Sequence, residues 1–496
     1  MKFERSAITD VLRTSDIQPK SDLDIGEKPG VFVIVPRGEA IRNFVYSGAI
    51  DRLADGSRLN ILTVAVNNEF TDLLQYKSDS VFPLTEYYDR WIVRVLREII
   101  DVTHNRWIWT RAAQERSRLR DQEARTFREK VFRGVKKVIA FAFASRSGLN
   151  ILTKAERTVS KYLGTTNEYL DLYQKTRPSL VFNASHVHSR NATQAVEAAQ
   201  WLGIPTATFI FSWDNLTSQG RIMLPYDYFI VWNDTLKQQL LEMYQWIEPA
   251  NVVVTGTPQF DTHFWPQFYL SREEYCEQIG ADPNRPLVLY TTGMANHMPG
   301  CPKIVEGIAD MLLDFPEEHR PQLLLRVYAK DLTGRFEDLR ARRKDIIFID
   351  PIWEPKWLTP KQEDAFALVN ALRHCSVGIN VASTVSLELC IFDKPVINVG
   401  YNPPDVTELS YADYYEFDHY KPVVDSGAIQ VAYSPEEMRR FIGESLRSPG
   451  ERKQQRRDLI DKMFGSTLDG KSGIRVADAL LEIAKRGHVS SSKHGE

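Results

Sequence analysis

The sequence predicts an α/β protein built from two doubly wound parallel-sheet domains that face each other across a central cleft. Three observations predict it. Short, continuous β-branched runs alternate with stretches of helical periodicity, as they do where a parallel sheet is covered on both faces. The alternation runs through the first half of the chain and restarts near residue 286. The chain has 496 residues, more than one hydrophobic core organises.

VFVIVP at 31–36 reads as the first strand, and GEAIRNFVYSGAIDRL follows it with helical spacing. ILTVAV (61–66), SLVFNA (179–184), TATFIF (206–211), YFIVW (228–232) and VVVTG (252–256) continue the first set. The second set is PLVLYTTG (286–293), QLLLRVYA (322–329), DIIFID (345–350), SVGINVA (376–382) and PVINVG (395–400). The expected organisation is a loosely ordered segment 1–28, a first domain 29–260, a second domain 261–470, and a C-terminal helix with a flexible tail at 471–496. GTPQFD (256–261) marks the junction. Residues 84–143 read as a long helical insertion in the first domain. Within 104–137, 11 Lys or Arg stand against 4 Asp or Glu, with Trp107, Trp109, Phe127 and Phe132 interleaved. Two readings of that stretch stay open: a solvated helical hairpin, or a docking surface for an anionic membrane.

Composition narrows the class. Lys and Arg number 62 against 65 Asp and Glu, a formal charge of −3, so no nucleic-acid partner is expected. No run approaches the length of a membrane-spanning helix, and MKFERSAITDVLRTSD lacks an apolar signal core. The 4 cysteines are scattered, without zinc-site or disulfide spacing. The expectation is a cytoplasmic protein, peripheral on the inner face of the cell membrane if the basic stretch docks there, with no metal and no cofactor.

The densest chemical signal is INVASTVSLELCIFDKPVINVG (379–400). Ser383 is placed as a helix N-cap and Thr384 as the helix start, where free N–H groups offer a site for a diphosphate. Glu388 lies four residues on, roughly 7 Å along the axis, within reach of ribose hydroxyls. In RVYAKD (326–331), Arg326 and Lys330 offer charge to phosphates, and Tyr328 offers a ring or a hydroxyl. Gly293, in TTGMANHM, sits at a strand end where backbone can approach a ligand. In the first half, PRGEAIRNF (36–44) brings Arg37, Glu39 and Arg42 to a strand-to-helix loop. Glu39 is there a general-base candidate or a partner of the helix dipole. SHVHSRN (185–191) adds His186 as a base candidate and His188 as an acceptor-binding one. SWDNLTSQG (212–220) offers Asp214 and Asn215 to sugar or acceptor hydroxyls and Trp213 to a pyranose face; an Asx-turn is its structural alternative.

Taken together these stretches resemble glycosyltransferases of the GT-B fold, with its two Rossmann-like domains. More narrowly they resemble bacterial surface-polysaccharide glycosyltransferases and the CDP-glycerol glycerophosphotransferases. The resemblance rests on SWDNLTSQG, VTGTPQFD (254–261), LLRVYAKD (324–331), NVASTVSLELCIFDKPVIN (380–398) and DGKSGIRVADALLEIA (469–484). It implies that Ser383, Thr384 and Glu388 bind a nucleotide-diphosphate donor in the second domain, and that catalysis proceeds without a bound metal. Many relatives carry a His-Pro where this chain has Tyr328-Ala329. VPRGEAIR also resembles the opening loop of UDP-N-acetylglucosamine 2-epimerases, whose His-Arg-Arg-Glu-Asn motif is missing here. The expected activity is sugar transfer from a nucleotide-diphosphate sugar to a hydroxyl of a bacterial surface glycan or lipid-linked glycan, with Asp214, Glu39 or His186 as base. The alternatives are glycerophosphate transfer, an epimerase-like reaction, and sugar-nucleotide binding without catalysis.

Overall fold

The computed structural model describes residues 28–65, 68–85, 88–163, 167–187, 189–403, 405–406 and 410–492. His188, nearly all of the expected N-terminal segment and the last residues of the tail lie outside the described residues. The fold rests on two wholly parallel sheets, as expected. The first has 7 strands: β1 (Gly30–Val35), β2 (Arg58–Thr63), β3 (Ser80–Pro83), β4 (Leu180–Asn183), β5 (Thr206–Phe209), β6 (Tyr228–Val231) and β7 (Val252–Val254), in the order β3-β2-β1-β4-β5-β6-β7. The second has 6: β8 (Leu287–Thr291), β9 (Gln322–Arg326), β10 (Ile346–Ile349), β13 (Val377–Asn380), β14 (Val396–Val399) and β15 (Gln430–Ala432), in the order β10-β9-β8-β13-β14-β15. A small antiparallel hairpin, β11 (Trp353–Glu354) with β12 (Thr359–Pro360), stands between them in sequence.

The strands read most clearly from sequence are the central ones. β1 is buried along its whole length, because Val31 pairs with Leu59 on one side and Leu180 on the other. The strands of the two large sheets that the sequence reading lacks, β3 and β15, are short edges. They are only partly buried, so they carry no continuous apolar run. The helical insertion outruns its expected bounds. Helices Trp91–Ile108, Arg111–Glu123, Phe127–Phe143, Arg146–Leu163 and Asn167–Thr176 take up most of the described residues between β3 and β4.

The outgoing and returning passes between lobes lie side by side. Asp261 accepts from Ser472 N at 2.9 Å and Gly473 N at 2.7 Å, and Arg475 Nε donates to Thr255 O at 2.7 Å. Gly256 sits there at φ 80°, and a Cβ on it would lie 2.6 Å from Ser472 Oγ, so both backbone and space demand glycine. The last helix, Ser472–Ser492, packs back on helix Ala49–Gly56 of the first lobe.

Candidate functional site

In each sheet the strand order reverses direction at one place, between β1 and β4 in the first lobe and between β8 and β13 in the second. Loops leaving the carboxyl ends of those strands bind ligands in open parallel sheets. Arg37, Glu39 and His186 follow β1 and β4; Gly293, Ser383 and Thr384 follow β8 and β13. Topology thus gathers residues from distant parts of the sequence at two facing edges.

The edges touch. Trp213 Nε1, from the loop after β5, donates to Thr384 Oγ1 at 3.1 Å. The Trp213 ring meets His419 edge-on at 5.4 Å. Glu39 bridges the lobes as well, paired with Lys330 Nζ at 2.5 Å and Arg37 Nε at 3.0 Å. Gly38 N donates to Trp357 O at 2.9 Å, and a Cβ on Gly38 would lie 1.9 Å from Thr359 Oγ1, so the first loop lies flat against the hairpin.

Asp214 sits beside Trp213 and heads the short helix Asn215–Ser218. Its carboxylate accepts from Ser212 Oγ at 2.5 Å and Ser218 Oγ at 2.7 Å. Asn215 is buried and its Oδ1 takes Ser212 N at 2.9 Å, so it shapes the loop rather than facing an acceptor. Burial pushes the His186 imidazole down to about 4, while the Phe209 carbonyl at 3.2 Å acts the other way. That ring is neutral at pH 7 and a weak base. Arg42 reaches Gln259 Oε1 at 3.0 Å and ties the first lobe to the crossing segment instead of the cleft.

The turn after β13 differs in detail from its sequence reading. Ala382 adopts φ 40°, and the cap falls on Thr384, so the helix is Val385–Ile391. Ser383 Oγ accepts from Val385 N at 3.3 Å, and Asn380 Oδ1 takes Ser383 N at 3.2 Å. Beneath the turn is a buried polar network the sequence reading missed. Asn380 Oδ1 also accepts from Ser386 Oγ at 3.0 Å and from Asn398 Nδ2 at 3.0 Å, and Tyr420 OH donates to Asn398 Oδ1 at 2.7 Å. Its signal was present: one Asn stands in each of two otherwise apolar strand runs, Asn380 in VGIN and Asn398 in VINV.

Three donor-side expectations are corrected. Glu388 does not open onto the cleft; it is 4% exposed and its Oε2 lies 2.8 Å from His263 Nε2. Arg326 is buried against Asp364 Oδ1 at 2.7 Å, and Asp364 also accepts from Trp353 Nε1 at 2.7 Å, so this pair braces the hairpin rather than meeting phosphate. Gly293 makes room for protein: a Cβ there would lie 2.4 Å from Met298 Sδ, and its carbonyl is held by Arg335 at 3.1 Å. Tyr328 N donates to Thr292 Oγ1 at 2.9 Å, and its ring stands 5.8 Å from Lys330 Nζ, which leaves Lys330 as the cation of RVYAKD at the interlobe contact.

No protein-family model matches this sequence, and no curated protein aligns with it significantly. Solved structures do share its shape. A UDP-GlcNAc 2-epimerase from Neisseria meningitidis, bound to UDP-GlcNAc, superposes with a TM-score of 0.52 at 13% identity, over 91% of this chain and 99% of that one. The UDP-GlcNAc 2-epimerase of Methanocaldococcus jannaschii gives 0.50 at 12% identity, over 91% and 99%. At such identity the likeness is one of fold, and the fold is GT-B.

Proposed function

We propose that this chain is an enzyme that moves a sugar from a nucleotide-diphosphate sugar to a hydroxyl of a surface or lipid-linked glycan. The donor sits at the 382–385 turn and the acceptor before the 211–220 loop. The observation that carries the reading is the meeting of those two loops through Trp213 and Thr384. The Neisseria protein of the same fold is bound to UDP-GlcNAc, which supports a nucleotide sugar as the ligand class.

In this reading the Thr384 amide, at the helix start, is the donor offered to the diphosphate, with the helix-start dipole adding to the attraction. Lys330, held at the cleft by Glu39, adds a positive charge. Glu39 is engaged by two cations and acts as a latch between lobes, which leaves Asp214 as the base. Asp214 takes the proton of the acceptor hydroxyl as that oxygen bonds to the anomeric carbon, and the bond to the diphosphate breaks. The two serine hydroxyls on Asp214 fix its orientation.

Incubation with UDP-, GDP- and CDP-linked donors, with and without glycan acceptors, tests this. The expected result is acceptor-dependent release of a nucleoside diphosphate. Release of a nucleoside monophosphate from CDP-glycerol would instead establish glycerophosphate transfer. Conversion of the sugar without acceptor would establish an epimerase. Asp214→Asn is expected to lower kcat by about 10²–10⁴-fold with an unchanged melting temperature; wild-type turnover in that variant removes Asp214 as base.

A further inference from the structure

The helical insertion carries features that sugar transfer does not use. On helix Phe127–Phe143, Phe127, Val131, Val135, Val138 and Phe141 are 82%, 49%, 51%, 71% and 74% exposed. Their spacing of three and four residues makes one continuous stripe, about 21 Å long at the helical rise. Scattered exposed apolar residues are ordinary, but a contiguous stripe marks a contact surface. The opposite side of the helix, at Ala140, is buried where it packs on helix Trp91–Ile108. Cations flank the stripe: Arg128, Lys130 and Lys137 are exposed. The one acidic residue of this helix, Glu129, is taken up by its capping box.

Beside the Phe141 end of the stripe, where this helix meets helices Trp91–Ile108 and Arg111–Glu123, lies a cavity of about 260 Å³, walled by Trp109 and Phe141 and ringed by Arg106, Arg116, Arg120, Arg133 and Lys137. Two carboxylates answer those five cations: Asp101 pairs with Arg116 and Arg120, and Asp121 with Arg133 and Lys137. The rim therefore keeps an excess of positive charge. Arg106 lies 4.6 Å over the Trp109 ring. Arg116 also donates to Gln219 Oε1 at 2.9 Å, which joins the cavity to the 211–220 loop.

We propose that the insertion docks the protein on an anionic lipid bilayer, with the apolar stripe at the interface and the cavity taking a lipid phosphate. Apolar area plus flanking cations is the combination that holds a helix at such a surface. A second copy of this chain fits poorly, because a two-fold contact would set the cations of one stripe against those of the other. This proposal goes beyond the catalytic reading and is tested by binding alone, so the two can fail separately.

The test is flotation of the full chain with vesicles of phosphatidylcholine alone and of phosphatidylcholine mixed with phosphatidylglycerol. Binding is expected to the mixed vesicles and to weaken with added salt. Val135→Ser with Val138→Ser, and separately Arg106→Ala with Lys130→Ala, should each weaken it on the order of tenfold or more. These side chains are exposed, so unchanged circular dichroism and melting are expected. Equal binding to neutral vesicles, no binding at all, or a dimer in sedimentation that the stripe variant abolishes would overturn the proposal.

Discussion

At the scale of single residues, burial decides chemistry. Glu388 and His263 share a hydrogen bond at 2.8 Å in a closed environment, with the imidazole stacked on Phe392 at 5.4 Å. Glu388→Ala strands a buried ring nitrogen and is expected to cost about 1–3 kcal/mol in urea unfolding, with Glu388→Gln recovering most of it. Asp261 behaves differently. Burial pushes its carboxyl up to about 6, although the Gly473 and Ser472 amides pull the other way. Its folded value is thus above its unfolded one, so the native state holds the proton more tightly. Its stabilising contribution is full below the unfolded value of 3.8 and is lost as pH rises through about 6. Against Asp261→Asn, which does not titrate, the wild type should therefore lose up to about 3 kcal/mol of relative stability between pH 4 and 7. Paired denaturation curves at the two pH values measure this.

Among elements, the hairpin β11–β12 is the piece whose role emerges only in three dimensions. It is tied inward by Trp353 to Asp364 and Arg326, and outward by Trp357 O to Gly38. Asp364→Asn leaves the buried Arg326 guanidinium without its counter-charge and should cost about 3–5 kcal/mol in chemical denaturation. The hairpin and the edge strands β3 and β15 were not legible in the sequence, because two-residue strands and half-exposed edges without an apolar run produce no periodic signal. The insertion helices were legible as helices, but their extent to Thr176 was not, since where an insertion ends depends on which strand next enters the sheet.

For the molecule as a whole, two lobes are joined by paired crossings at Gly256 and Ser472, and those crossings set how the candidate loops meet. Gly256→Ala places a methyl 2.6 Å from Ser472 Oγ at φ 80° and is expected to cost about 1–3 kcal/mol, read as a lower melting temperature. The amino-acid sequence alone determined the two parallel sheets, their central strands and the loops at their carboxyl ends, because apolar runs and helical periodicity are local properties of the chain. Tertiary structure alone decided which residues of those loops stay available. Glu388 is covered by a histidine 125 positions away and Arg326 by an aspartate 38 positions away. No local pattern encodes such pairings, because a charged side chain is sequestered or exposed according to what the folded chain brings against it.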